Sequence, residues 1–375
     1  MKGMFEKRYG SITNCVLPAM LTILLIQVSA PAKPGDALVH LNEGQRAFTD
    51  GNYKQAEYSF RRAVEAAETS GASDSELALA HGDLGAVLLR QGRFDESEGH
   101  LVQAVAMLRS HQSIDRRQLP IMLGNLGKLY EQTGKFKRSE TILREAIQLG
   151  NRDLKGEPLY LSDLHNNVGV LHLQTGHRSE AEHEFKIAMK LAEKQTGGNA
   201  SHSASILANL SALYFMQQKW DLAEGTLLRS IEIVEQFHGP EHPELCALLK
   251  NLGYLYYMQN DLDQAETKLR RDLAIRRTIF GQDNAETAAA ESFFASVLAA
   301  RGKYDEAGKL FSEALNTQEQ ILGRRVPAVA TTLEQFANLL RRTNRSALAG
   351  DMEARAESIR LELGYTVSVK QLREH

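Results

Sequence analysis

The stretch HGPEHPELCALLKNLGYLYYMQNDLDQAE, residues 238–266, contains two apolar segments separated by a polar turn. Gly253 lies in the first segment, and Ala265 follows twelve residues later in the second. Asn260 lies between them, and asparagine tolerates the left-handed backbone conformation in which many helices end. The stretch therefore predicts a helix, a turn and a second helix, with small residues where the two helices approach each other.

The same pattern recurs along almost the whole chain. Small residues recur 41 or 42 residues apart, at Gly44, Gly85, Gly127, Gly169, Ser211, Gly253, Ala295 and Ala337. A second small series follows twelve residues later, at Ala56, Ser97, Ser139, Ala181, Ala223, Ala265, Ala307 and Ala349. One such hairpin cannot bury its apolar stripe alone, so neighbouring hairpins are expected to stack. Glu43 and Glu353 replace apolar residues in the first and last units, as the exposed ends of an array require.

One unit carries the pattern most fully, with Leu126, Gly127 and Tyr130 on the first predicted helix and Ser139, Leu143 and Ala146 on the second. This arrangement resembles the tetratricopeptide repeat family, and the 42-residue spacing is similar to that of its kinesin light chain-type subclass. The resemblance implies an all-α, right-handed superhelix of about eight helix-turn-helix repeats. This solenoid would cover residues 33–363, with residues 364–375 as a C-terminal tail.

The N-terminal segment differs from the repeats. Basic residues precede an apolar run whose core, from Val16 to Ile26, is too short to span a bilayer comfortably. Residues 1–32 are therefore predicted to be a secretory signal peptide that is cut after Ala32. The alternative is an uncleaved N-terminal anchor. We expect an exported protein, either periplasmic or secreted, or one held at the membrane by this segment, and no other membrane span.

Charge and cysteine content narrow the classes of partner. Residues 1–32 hold three basic residues and one acidic residue, so the net charge changes from −3 to −5 without them. Nucleic acid is not an expected partner, because phosphate binding needs clustered positive charge. Cys246 has no second cysteine after residue 32, so we expect no intramolecular disulfide.

Histidine pairs are the strongest candidates for a metal site or for catalysis. His238 and His242 fall in a predicted loop between repeats, and Pro240 and Pro243 prevent one helix from presenting both imidazoles. A third ligand is missing from the pattern, so we predict a structural loop.

His165 and His172, seven residues apart on one predicted helix, are interpreted as polar substitutions between helices. The sequence contains no phosphate loop, dinucleotide-binding glycine pattern, nucleophile elbow or metalloprotease motif. We therefore predict no catalytic residues, no cofactor and no bound metal.

A ladder of asparagines lies two residues before the small residue of several units, at Asn42, Asn125, Asn167, Asn209 and Asn251. These amides could hold the backbone of a ligand or tie neighbouring repeats together. The second interpretation is favoured, because a buried amide must be hydrogen-bonded.

The resemblance also implies that the first helices line a concave wall that binds a partner. The predicted partner-binding residues are Arg90, Lys128, Phe215, Met216, Lys250, Tyr254, Tyr257, Met258, Arg341 and Arg342. Aromatic and methionine side chains beside a cation are typical of a peptide-binding groove. The alternative for Tyr254 and Tyr257 is packing against a neighbouring helix.

The leading hypothesis is an exported, non-catalytic scaffold that binds a peptide or helix of a partner protein in its concave groove. Two alternatives come from other classes. One is a structural component of the envelope that uses its outer surface, and the other is a metal-dependent enzyme that uses His165, His172 or His238.

Overall fold

The computed structural model describes residues 36–70, 73–110, 115–194 and 200–363. Every regular element in these ranges is an α-helix, and the helices there number sixteen. The predicted signal peptide, residues 1–32, and the predicted tail, residues 364–375, lie outside the described residues and stay predictions.

The helices form consecutive pairs, one pair for each predicted repeat. The first four pairs are α1 (Asp36–Thr49) with α2 (Tyr53–Ser70), α3 (Asp74–Arg90) with α4 (Phe94–Ser110), α5 (Gln118–Gln132) with α6 (Phe136–Asp153), and α7 (Pro158–Gln174) with α8 (Arg178–Ala192). The last four are α9 (Ala200–Met216) with α10 (Trp220–His238), α11 (Glu244–Met258) with α12 (Leu262–Phe280), α13 (Ala285–Ala300) with α14 (Tyr304–Leu322), and α15 (Pro327–Arg342) with α16 (Ser346–Glu362).

The turn inside each pair has the left-handed backbone that the sequence predicts. A positive φ occurs at Gly51, Gly92, Gly134, Gly176, Gln218, Asn260, Gly302 and Asn344. At the second turn, the N–H groups of Gly92 and Arg93 donate to the carbonyls of Leu89 and Leu88, at 3.1 and 2.9 Å. These two bonds satisfy carbonyls that would otherwise have no hydrogen-bond donor at the end of α3, so the turn ends one helix and starts the next.

The two helices of a pair approach closely at the small residues. A Cβ atom at Gly85 would lie 2.7 Å from Leu101 Cγ and 3.3 Å from the Leu101 backbone nitrogen. From α4, Ser97 Oγ donates a 2.7 Å hydrogen bond to the carbonyl oxygen of Gly85. Ser139 Oγ makes the same 2.7 Å bond to Gly127 in the next pair. The predicted contact between the two small series is therefore present, and it leaves no room for larger side chains.

The chain divides into two compact units, residues 1–233 and 234–375. Inside each unit, successive pairs stack, so that a second helix packs against the first helix of the next pair. The core follows the repeat: fully buried apolar side chains include Phe60, Leu101, Leu143, Phe185, Leu227 and Phe311. At the two ends of the array, the side chains of Glu43 and Glu353 are 55% and 41% exposed, as predicted for capping units.

Polar side chains of the asparagine ladder link neighbouring first helices. Asn209 Nδ2 donates to Asn166 Oδ1 at 2.9 Å, in the buried layer between α9 and α7. Asp83 and Gln335 occupy the same repeat position, and they accept hydrogen bonds from Gln45 at 2.8 Å and from Ser292 at 2.6 Å. These bonds support the structural interpretation at Asn209, Asp83 and Gln335, whereas the buried side-chain amide of Asn167 makes no hydrogen bond within the described residues.

No helix of the described residues is long and apolar enough to cross a membrane.

Gly85→Ala is expected to lower the free energy of unfolding by about 1–2 kcal/mol, because the new methyl group overlaps Leu101. Gly99→Ala is a matched control on α4 of the same pair, where a Cβ meets nothing within 4 Å. It is expected to raise the free energy of unfolding by about 0.5–1 kcal/mol, because alanine favours helix over glycine. Denaturant unfolding followed by circular dichroism measures both. Equal stabilisation by the two variants would contradict the close approach.

Asp83→Asn is expected to stabilise the protein in a pH-dependent way. Complete burial raises the pKa of Asp83 from 3.8 to about 7, and the hydrogen bond from Gln45 lowers it only in part. Between about pH 4 and 7, the folded state keeps a proton that the unfolded state has lost, so this carboxyl destabilises the fold increasingly as pH rises. The variant should match the original chain near pH 4 and exceed its free energy of unfolding by about 4 kcal/mol at pH 8, since each of the roughly three pKa units corresponds to about 1.4 kcal/mol.

The reciprocal substitution, Asn125→Asp, places a carboxyl at the same buried ladder position and is expected to destabilise the protein at pH 8 more than at pH 4. Denaturant unfolding at pH 4, 6 and 8 compares the free energy of unfolding of each variant with that of the original chain. A difference from the original chain that does not change with pH would show that the Asp83 carboxyl stays ionised throughout.

Candidate partner-binding site

Three aromatic side chains meet on the first helices of the second unit. The ring centroid of Phe293 lies 5.9 Å from that of Tyr254 and 6.2 Å from that of Tyr257, the latter pair edge to face. All three side chains are half-buried. We call Tyr254, Tyr257 and Phe293 the aromatic cluster. It joins α11 to α13, so it spans two consecutive repeats.

Helix geometry places the other predicted residues of α11 next to this cluster. Lys250 and Tyr254 are four residues apart, and Tyr254 and Tyr257 are three apart, so they share one side of the helix. Met258, the last residue of α11, is also half-buried. The structure therefore brings four predicted residues together: Lys250, Tyr254, Tyr257 and Met258.

Lys250 contributes positive charge next to the aromatic cluster. Burial raises the pKa of the Asp272 carboxyl, while Arg276 and, more weakly, Lys250 lower it. Arg276 Nε donates to Asp272 Oδ1 at 2.7 Å. The charge of Lys250 therefore acts on the buried Asp272 carboxyl, and the half-buried Lys250 lies one helical turn before Tyr254.

Phe293 was missed by the sequence analysis, although a signal for it exists. It lies two residues before Ala295, which is the ladder position filled in other repeats by asparagine, aspartate or glutamine. In the second repeat this position contacts Gln45, one residue after Gly44. Phe293 makes the equivalent contact to Tyr254, one residue after Gly253. The aromatic cluster thus replaces a polar link between repeats by a ring contact.

The predicted residues of the first unit have partners of their own. Phe215 packs edge to face on Trp220, with ring centroids 5.2 Å apart, and Met216 beside it is half-buried. Arg90 Nε donates to Tyr53 Oη at 3.1 Å, and its guanidinium lies 5.4 Å from the centroid of the Tyr53 ring. The Phe215 contact lies within one hairpin, whereas the Arg90 contact reaches α2 of the preceding hairpin.

Lys128 departs from the expected exposed cation. Its side chain is 1% exposed, and its Nζ lies 2.7 Å from Glu131 Oε2, which is equally buried. Glu131 also accepts hydrogen bonds from Gln132 and Gln174. Residues of the neighbouring repeat cover this position, so Lys128 is part of a buried polar network and not of an accessible wall.

Arg341 and Arg342 lie at the end of α15 and are both exposed. Arg341 forms a bidentate ion pair with Glu353, in which Nε donates to Oε1 at 2.8 Å and Nη2 donates to Oε2 at 2.5 Å. Arg342 Nη1 donates to the carbonyl oxygen of Ala299 at 3.4 Å, at the C-terminal end of α13. Of the two, Arg342 is therefore the one that reaches the helix carrying Phe293.

The histidine candidates are engaged in pairwise contacts. His165 Nδ1 lies 2.6 Å from Glu184 Oε2. The His238 and His242 rings stack with centroids 4.5 Å apart. His242 lies in the predicted inter-repeat loop, whereas His238 is the last residue of α10. Among the described residues, no group of three or more His, Cys, Asp or Glu side chains is placed to hold a metal ion.

Cys246 is buried, and this burial raises the pKa of its thiol to about 12, with a further contribution from the charge of Asp272. A thiol with such a pKa stays protonated at neutral pH and is a poor nucleophile.

Two family models, both described as tetratricopeptide repeat, match the sequence. One matches residues 32–110, 202–278 and 286–362, which is more than half of the chain, and the other matches residues 121–149. The chain belongs to the tetratricopeptide repeat family. Repeats of this family typically form scaffolds for interactions between proteins. A comparison with curated proteins found no match.

Solved structures share the fold at low sequence identity. The apo form of the quorum sensor NprR from B. thuringiensis is 11% identical, with a TM-score of 0.60 over 86% of this chain and 87% of that one. A signal transduction ATPase with a tetratricopeptide repeat sensor, from Pyrococcus horikoshii, is 12% identical, with a TM-score of 0.63 over 89% of this chain and 48% of that one. A third match, to kinesin light chain TPR-like repeats from Podospora anserina, is 17% identical over 55% of this chain and 98% of that one, and its TM-score of 0.48 is too low to support a shared fold by itself.

Proposed function

We propose that this tetratricopeptide repeat protein is an exported, non-catalytic scaffold that binds a segment of a partner protein on the first helices of its second unit. The aromatic cluster is the observation that carries the proposal. Its three rings come from two repeats, and each remains partly accessible, so a bound segment would contact both repeats at once.

The chemistry of this surface favours an apolar segment with hydrogen-bonding backbone groups. A tyrosine ring offers a large, rigid apolar area and a hydroxyl at its rim, and it loses little conformational entropy on binding. Met258 has a flexible thioether side chain that adapts to the shape of an apolar side chain. A peptide or helix with one or two apolar anchors is therefore the expected ligand.

The Phe293 contacts also explain how the two tyrosines could bind a ligand without a large rearrangement of their side chains. A side chain that is already held in place by a neighbouring ring loses less freedom when a ligand binds. Packing and binding are therefore compatible roles for Tyr254 and Tyr257, since each ring contacts Phe293 and each side chain stays partly accessible.

Replacing both Tyr254 and Tyr257 by alanine is expected to weaken ligand binding at least fivefold, equivalent to about 1 kcal/mol. Peptides selected from a random display library on the full chain supply the ligand, and fluorescence anisotropy measures the dissociation constants. Circular dichroism of the variant should keep the helix content.

Tyr58→Ala is the matched control, because Tyr58 is a 58% exposed tyrosine on α2, a second helix of the first unit. It is expected to leave the dissociation constant unchanged. Peptides held equally well by the double variant, or lost equally in the Tyr58 variant, would contradict the assignment to the aromatic cluster.

Export is the part of the proposal that rests on the N-terminal sequence. A basic start followed by a short apolar run and Ala32 is typical of a cleaved secretory signal. Mass spectrometry of the protein recovered from the periplasm or medium should find an N-terminus at Lys33. Recovery only from the cytoplasm, with residues 1–32 intact, would contradict it, and an intact chain in the membrane fraction would favour the anchor.

A further inference from the structure

One edge of the second unit carries a row of exposed apolar side chains. Phe237, Ile279, Ile321 and Leu363 lie 42 residues apart and are 57%, 41%, 46% and 43% exposed. The first three are the second-last residues of α10, α12 and α14, and Leu363 directly follows α16. We call these four residues the apolar edge.

The repeat fold itself does not demand apolar residues there. Asp153 occupies the equivalent position in α6 of the first unit. Single exposed apolar side chains are common on soluble proteins, whereas a row at one repeat position indicates a surface that another molecule covers. Phe280 and Leu322, the next residues of two of these helices, are also exposed and widen the row.

The even spacing of the apolar edge makes it complementary to a second copy of itself. A two-fold axis between Ile279 and Ile321 would place Ile279 against Ile321 of the second copy and Phe237 against its Leu363. All four residues of each copy would then be covered. A closed two-fold contact of this kind uses the same patch on both subunits and is the most frequent way in which soluble proteins assemble.

The loops beside the apolar edge carry charges that favour this register, the alignment of the two copies about an axis between Ile279 and Ile321. Glu241, Asp283 and Arg325 each lie two residues after a glycine of positive φ, so they share one position in three successive loops, and all three are exposed. The axis between Ile279 and Ile321 brings Asp283 of one copy opposite Arg325 of the other. Sliding one copy by one repeat would put Arg325 against itself in one direction. In the other direction it would put Asp283 against itself while Glu241 faces Arg325, and like charges oppose both of these self-contacts.

We propose that the second unit forms a two-fold homodimer through the apolar edge, with Asp283 of each subunit paired to Arg325 of the other. Arg325 is 77% exposed and lies 3.3 Å from Glu362 of its own chain. An exposed ion pair of this kind is weak, so Arg325 can exchange it for an intersubunit contact. The dimer would present two aromatic clusters, which raises the apparent affinity for a partner with two binding segments.

Sedimentation velocity of the full chain, expressed from the whole sequence and purified as its host processes it, tests the proposal. The chain should sediment as a dimer at micromolar concentration. Ile279→Glu combined with Ile321→Glu should raise the dimer dissociation constant at least a hundredfold and give a monomer. Val102→Glu, at a 44% exposed position on α4 of the first unit, is the control and should stay dimeric.

Charge reversal tests the register independently. Asp283→Arg alone and Arg325→Asp alone should each raise the dissociation constant at least tenfold, and the combined variant should return it to within about threefold of the original, because the pair is restored in reverse. Circular dichroism checks that each variant stays folded.

Two results would overturn the dimer proposal. One is a monomer of the unsubstituted chain at 100 micromolar, and the other is a dimer of the variant that carries both Ile→Glu substitutions. Failure of the combined charge variant to recover the dimer would overturn the assigned register. None of these results depends on Tyr254 or Tyr257, so the dimer and the partner-binding proposal fail separately.

Discussion

The close approach of two helices within each hairpin is the constraint on which the whole array depends. At the contact, one helix supplies glycine, serine or alanine, and a side chain such as Leu101 fills the space directly above it. Where the partner is serine, as at Ser97, its hydroxyl bonds to the facing carbonyl and fixes the register of the two helices. Larger residues at these points would separate the helices and break the stacking of one repeat on the next.

Much of the fold follows from single residues and could therefore be read from the sequence. The turns need a left-handed backbone, and only glycine and a few polar residues accept one, so Gly92 and Asn260 mark the ends of first helices without reference to the rest of the chain. The spacing of the small residues then sets the pairing. These features are local, and the structure confirms them at each described repeat.

The surface was harder to predict, because exposure is decided by the neighbouring repeat. Lys128 and Tyr254 occupy the same repeat position, yet the first is buried against Glu131 and the second is half-buried against Phe293. A pattern within one repeat cannot distinguish these cases. The missing information was the contact between successive first helices, and the substitution of Phe293 into a polar ladder is the sequence feature that indicates it.

The proposed partner segment lies on the first helices of the second unit. Site-specific photo-crosslinking tests this placement most directly, with benzoylphenylalanine introduced at Met258 in one protein and at Tyr58 in another, each mixed with a selected peptide. We expect a covalent adduct from position 258 and none from position 58. An adduct at position 58 alone would place the binding surface on the second helices instead.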